Sequence, residues 1–196
     1  MIFVTAATGA RHRALAEKLD QSFERWGWPR LRVLSPDPLA VREWVRASDD
    51  FGRGRGLKVR WAIALPGEYA GPCGWIDADC EATGSWLAPP PPPAGHVAGL
   101  LGVKVLANPP FLLFRSTALL SGDAATAAIL CAEWARAFAA QPGRACDDEP
   151  SLLRAIRRLR LPQVALPGTS PQPFPNLIHH GATNSAAGQI TANQPK

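Results

Sequence analysis

No stretch of the sequence approaches the ~18 consecutive apolar residues that a membrane-spanning helix needs. The start, Met1-Ile2-Phe3-Val4-Thr5, also lacks the basic leader and longer apolar run of a secretory signal. None of the four cysteines, Cys73, Cys80, Cys131 and Cys146, forms a Cys-x-x-Cys pair, which removes the usual signal of zinc ribbons and thioredoxin-type redox motifs. Free thiols in a reducing compartment are therefore expected. Nor is there an extreme of composition: charged residues make up 19% and hydrophobic residues 46%, which excludes a disordered chain and a coiled coil. These absences predict a soluble, cytoplasmic protein. At 196 residues the chain has room for one domain with a substantial core.

What is present is uneven. The net charge of +5 arises entirely in the first third, where residues 1–60 hold 12 Lys/Arg against 7 Asp/Glu while residues 61–196 hold 9 of each. That asymmetry points to an anionic ligand near the N-terminal segments or to a dispersed solvated face. Ile2-Phe3-Val4-Thr5-Ala6 reads as a buried strand. Leu15, Leu19, Phe23 and Trp26 then recur at helical spacing until Gly27 and Pro29 close the helix, and Leu31 to Leu34 makes a second strand. A strand, a helix and a strand over so short a span is the first unit of an α/β fold, and a layered αβα sandwich with a mostly parallel central sheet is expected.

Further along, Leu39 to Ala47 reads as a short helix and Asp49 to Arg60 as a mobile segment in which Gly52, Gly54 and Gly56 alternate with Arg53, Arg55, Lys58 and Arg60. Leu57 to Leu65 looks helical up to Pro66-Gly67, and Cys73 to Asp77 reads as a strand running into acidic residues. Pro89 to Pro93 must be an extended surface loop. His96 to Leu101 and Phe111 to Phe114 are strand candidates. Ser121 can cap a helix to about Ala140, with Leu130, Trp134 and Phe138 in one stripe. Asp147 or Asp148 caps the next helix, which faces the core with Leu152, Leu153, Ile156 and Leu159, and Val164 to Leu166 and Leu177 to His179 are two last short strands. Residues 1–181 are expected to form a single domain and 182–196 a polar, mobile tail.

The sharpest chemical feature is Trp75-Ile76-Asp77-Ala78-Asp79, an apolar strand delivering two carboxylates to its carboxyl end, the edge where ligands bind in open α/β sheets. Two acids so spaced can share Mg²⁺ or Mn²⁺ and leave coordination positions for phosphate oxygens, or they can be solvated turn residues. The order of motifs adds to this. Thr5-Ala6-Ala7-Thr8-Gly9 is followed by Lys58, Trp75-Ile76-Asp77-Ala78-Asp79, Phe111-Leu112-Leu113-Phe114-Arg115, Trp134, Asp148-Glu149, Leu152 and Ile178-His179-His180-Gly181. This succession resembles the nucleotide-sugar transferases of the GT-A fold, and the resemblance spans nearly the whole chain up to about Gly181.

The resemblance implies a GT-A-like glycosyltransferase that uses a nucleoside-diphosphate sugar and a divalent cation, Mn²⁺ or Mg²⁺. Asp77 and Asp79 match the family's acidic pair, Asp77 also approaching the ribose, and His179 matches a C-terminal histidine ligand, with His180 as its competitor. Thr5 would line the nucleotide base, and Arg11 and Lys58 would meet phosphate oxygens. Asp148 matches an acid near the sugar or acceptor, and would take the acceptor proton if configuration inverts. The basic segment from Phe51 to Arg60 permits an anionic acceptor such as DNA carrying a hydroxyl-bearing modified base, while a cytoplasmic glycan or a small molecule serves equally; no membrane partner is implied. The competing classes are a metal-dependent phosphohydrolase or nuclease, and a nucleotide-binding module without catalysis.

Overall fold

The structure is a computed structural model that describes residues 1–35, 55–87, 90–102, 113–141, 148–169 and 171–180. Its strands are β1 (Ile2–Ala6), β2 (Arg30–Leu34), β3 (Cys73–Ile76), β4 (Cys80–Ala82), β5 (Val97–Gly102), β6 (Leu113–Ser121), β7 (Gln163–Leu166) and β8 (Leu177–His179). Its main helices are α1 (Ala10–Trp26), α2 (Ala124–Ala139) and α3 (Asp148–Leu159). Six strands form one sheet in the order β2-β1-β3-β6-β5-β7, and β4 and β8 form a separate two-stranded ribbon. β1 runs parallel to β2 and β3, β5 runs parallel to β7, and β6 is antiparallel to both of its neighbours. The expected mostly parallel α/β sandwich is thus observed.

Alternation along the inner strands divides the core in two, because successive side chains of a strand face opposite sides of its sheet. Val4, Trp75 and Leu119 join Leu130, Trp134 and Phe138 of α2 and Leu152 and Ile156 of α3. Their neighbours Phe3, Ile76 and Leu120 join Leu19 and Phe23 of α1, together with Trp28, Phe174 and Leu177, on the other face. β1 is buried at every residue, which explains why it reads as an unbroken apolar run rather than an alternating one. Among the described residues no helix is long and apolar enough to cross a membrane.

Several local expectations need correction. α1 ends at Gly27 as expected: φ is 66°, its N–H reaches Glu24, and the Trp28 N–H reaches Phe23 O at 2.9 Å, the paired bonds of a Schellman cap. Trp26, however, is 38% exposed. Trp28, beyond the cap, enters the core instead, its indole N–H donating to Gly84 O at 2.8 Å. The strand expected to end at Phe114 continues to Ser121, so Ser121 is not a helix cap. Asp123 caps α2 instead, accepting from the Thr126 N–H at 2.7 Å and from the Gly95 N–H at 2.7 Å.

The helix expected over 57–65 is broken: residues 55–58 form a helical turn, and Trp61–Ala64 a separate 3₁₀ turn. Leu57, Lys58, Val59 and Trp61 are all buried, so the second half of the supposed mobile basic segment is packed against the core. The helix at 39–47, the segment 49–54 with Arg53, Phe111-Leu112, Asp147 and the tail at 182–196 lie outside the described residues.

Pro90–Pro93 has no regular structure, and its end is pressed against the turn after β6. A Cβ on Gly122 would lie 1.9 Å from Pro93 O, a backbone atom that cannot swing away. Gly67, by contrast, has nothing within 4 Å of a Cβ. Gly122→Ala is expected to cost about 2 kcal/mol or more and Gly67→Ala less than about 0.5 kcal/mol in chemical denaturation. Equal midpoints for the two variants would show that the proline run is not packed there.

Candidate active site at the carboxyl edge of the sheet

β3 leads directly into the acidic pair. The Asp77 N–H donates to Thr117 O of β6 at 3.0 Å, and the Cys80 N–H donates back to Asp77 O at 3.2 Å, closing a tight turn that projects Asp79 before β4 begins. β4 and β8 pair in the register Cys80↔His179, which brings a residue distant in sequence beside the turn. His179 Nε2 lies 3.2 Å from Asp79 Oδ1, whereas His180 Nε2 lies 2.9 Å from Glu81 Oε2 at the exposed surface. Neighbouring residues of a strand diverge, and that separates the two histidines.

Asp77, Asp79 and His179 each offer one ligand atom, and these atoms lie within 4.8 Å of one another. A single cation with bonds of about 2.1 Å bridges such a spread with little movement. Two carboxylate oxygens and one imidazole nitrogen suit a divalent cation such as Mn²⁺ or Mg²⁺ and leave positions for other ligands. Of the described residues, this donor set is the group that fits one.

Lys58 stands beside it. Its ammonium is 2.7 Å from Asp77 Oδ1 and 3.0 Å from Asp148 Oδ2, and it donates to Ser116 Oγ at 3.2 Å. Ser116 in turn donates to Asp148 Oδ2 at 2.6 Å, and Arg55 Nε is 3.5 Å from Asp148 Oδ1. The Trp75 indole donates to Asp77 Oδ1 at 2.8 Å. The Lys58 ammonium also sits 5.7 Å from the centre of the Trp75 ring.

Burial opposes charge at each of these groups; partners outweigh it at Lys58, Asp79 and Asp148, and burial outweighs the partners at Asp77. Burial works against the Lys58 ammonium, but Asp77 and Asp148 outweigh it and its pKa is raised. Burial raises the Asp77 pKa despite the pull of Lys58 and of the indole. Asp79 moves down, its burial overcome by His179, and Asp148 falls to about 2 because Lys58 and Ser116 overcome its burial.

The remaining expected residues are less gathered. Thr5, near the end of β1, is fully buried and its hydroxyl has no hydrogen-bond partner among the described residues, a rare condition for a buried polar atom. Arg11 is exposed in the first turn of α1 and takes no part in the ion-pair network of the described residues. Sequence reasoning missed Ser116, hidden in the unrecognised half of β6, and the indole of Trp75. Trp134, expected in the apolar stripe of its helix and in the succession of motifs, also donates through Nε1 to Asp148 O at 2.9 Å and to Ser151 Oγ at 3.0 Å and so fixes the start of α3. Arg55, part of the basic segment that permits an anionic acceptor, has its Nε 3.5 Å from Asp148 Oδ1.

No protein-family model matches the chain, and no curated protein matches it in sequence. Among solved structures it is similar to a glycosyltransferase involved in the glycosylation of the major capsid of PBCV-1. The TM-score is 0.51 and the identity 9%, over 84% of this chain and 79% of that one. At that identity the likeness shows the fold, which is GT-A-like α/β.

The Asp148 pKa, about 2 against an ordinary 3.8, gives a pH-dependent contribution to stability. Because the folded value is depressed, the contribution is present above about pH 4 and is lost as pH falls toward 2; it amounts to about 2 kcal/mol. Asp148→Asn should therefore be less stable than the wild type near pH 5, and the gap should narrow toward pH 2.5 in thermal melts. A gap independent of pH would show that the carboxylate charge contributes nothing.

Proposed function

We propose that this chain is a metal-dependent glycosyltransferase that moves a sugar from a nucleoside-diphosphate sugar to a hydroxyl acceptor. The observation that carries the reading is the meeting of Asp77, Asp79 and His179 at the carboxyl edge of a GT-A-like sheet. A bound Mn²⁺ or Mg²⁺ would supply Lewis-acid stabilisation of the departing diphosphate. Asp77, Asp79 and His179 would hold it. Lys58 supplies a positive group for a phosphate oxygen, and Arg11, exposed in the first turn of α1, is assigned a second. Thr5, with a buried hydroxyl that lacks a partner among the described residues, is assigned to the nucleotide side.

Asp148 is assigned to the sugar or acceptor. If configuration inverts it takes the acceptor proton. If configuration is retained, no such base is needed. As to the acceptor, DNA with a hydroxyl-bearing base was suggested by the basic segment, but Arg55 and Lys58 of that segment are engaged with Asp148. That engagement favours a glycan or a small molecule.

A screen of sugar nucleotides for Mn²⁺-dependent release of nucleoside diphosphate tests the reading. Asp79→Ala should abolish release, and Asp148→Asn at saturating Mn²⁺ should keep donor binding while turnover falls by ~10²-fold. Full turnover in excess chelator would remove the metal from the mechanism. Mn²⁺-dependent cleavage of phosphodiesters without sugar release would make the chain a phosphohydrolase, and metal-dependent nucleotide binding without turnover would make it a binding module.

A further inference from the structure

Asp77 is claimed twice. It belongs to the group with Asp79 and His179 that fits a divalent cation, and it is also the nearest partner of the Lys58 ammonium, at 2.7 Å. Lys58 and Trp75 both engage the same oxygen, Oδ1. An ammonium and a divalent cation sharing one carboxylate repel each other, and the repulsion is strong where water is scarce. The Lys58 side chain is only 10% exposed.

The ammonium nevertheless has somewhere to go. Asp148 Oδ2 at 3.0 Å and Ser116 Oγ at 3.2 Å already bond it, so a small shift lets it leave Asp77 without losing all its partners. Buried charges stay only where they are compensated. Here Lys58 and Arg55 balance Asp77 and Asp148. When an entering cation takes over Asp77, Asp148 still compensates Lys58.

We infer that Lys58 is a resident counter-ion of the metal site: it holds Asp77 in the metal-free protein and passes to Asp148 and Ser116 when a divalent cation binds. Asp148 is then a positioning residue for Lys58 that governs metal affinity without being a ligand. This inference rests on the reading of Asp77, Asp79 and His179 as metal ligands, and it makes two non-ligand residues act with opposite signs.

Mn²⁺ affinity of the full chain, measured by calorimetry without nucleotide, tests it. Asp79→Asn should lose most binding. Lys58→Met should bind Mn²⁺ about tenfold more tightly than the wild type, and Asp148→Asn about tenfold more weakly, because Lys58 then has only Asp77 as its carboxylate partner. In chelator, Lys58→Met should melt below the wild type, and Mn²⁺ should raise its melting temperature by more than it raises that of the wild type. If Lys58→Met does not fold, the double variant Lys58→Met/Asp148→Asn, which removes one charge of each sign, should bind Mn²⁺ more tightly than Asp148→Asn alone.

A merely structural role would weaken binding in both single variants. Weaker binding by Lys58→Met, unchanged binding by Asp148→Asn, or a double variant no tighter than Asp148→Asn overturns the inference while leaving the metal site standing. A wild type that binds no Mn²⁺, or an Asp79→Asn variant that binds it equally well, overturns the metal site and the inference together.

Discussion

An ammonium group buried in a protein has to be surrounded by enough negative charge to replace its lost water, and Lys58 meets that requirement by drawing four separate pieces of chain to one point. It rises from the helical turn at 55–58, meets Asp77 at the end of β3, Ser116 in β6 and Asp148 at the start of α3. None of the two carboxylates and the ammonium is tolerable there alone, since an unpaired buried charge costs several kcal/mol. The cluster therefore ties sheet and helix layers by mutual need.

The surrounding packing makes that point rigid. Trp134 in α2 holds the first turn of α3 through the Asp148 carbonyl and the Ser151 hydroxyl, while Trp75 holds Asp77 from within β3. On the opposite face of the sheet Phe3, Phe23, Trp28, Trp86 and Phe174 make an aromatic cluster with ring centres 4.5–6.1 Å apart, which fixes α1 against the sheet. The β4–β8 ribbon then brings His179 to Asp79. A rigid, partly dehydrated group of charges strengthens every electrostatic interaction made with it, which suits a site that must handle a diphosphate.

Antiparallel β6 is the element on which much of this turns, and it was half hidden in the sequence. Arg115-Ser116-Thr117-Ala118 mixes polar and small residues, so its strand character comes from lying between β3 and β5 rather than from local propensity. For the same reason Ser116 carried no signal, and Ser121, although a favourable capping residue, became a strand terminus while Asp123 took the cap.

The sequence by itself determined the layered α/β class, the strand and helix at its start, the stop at Gly27 and the delivery of Asp77 and Asp79 to a strand's end, because apolar periodicity and turn chemistry are local properties. Only the tertiary structure decided which histidine stands at Asp79, that Lys58 is buried, and that Arg55 pairs with Asp148. These outcomes depend on strand register and on charge balance between segments more than 50 residues apart in the chain, as Lys58 and Ser116 are. Such pairings leave no periodic trace, since each partner alone is an ordinary polar residue whose placement is set by the one it meets.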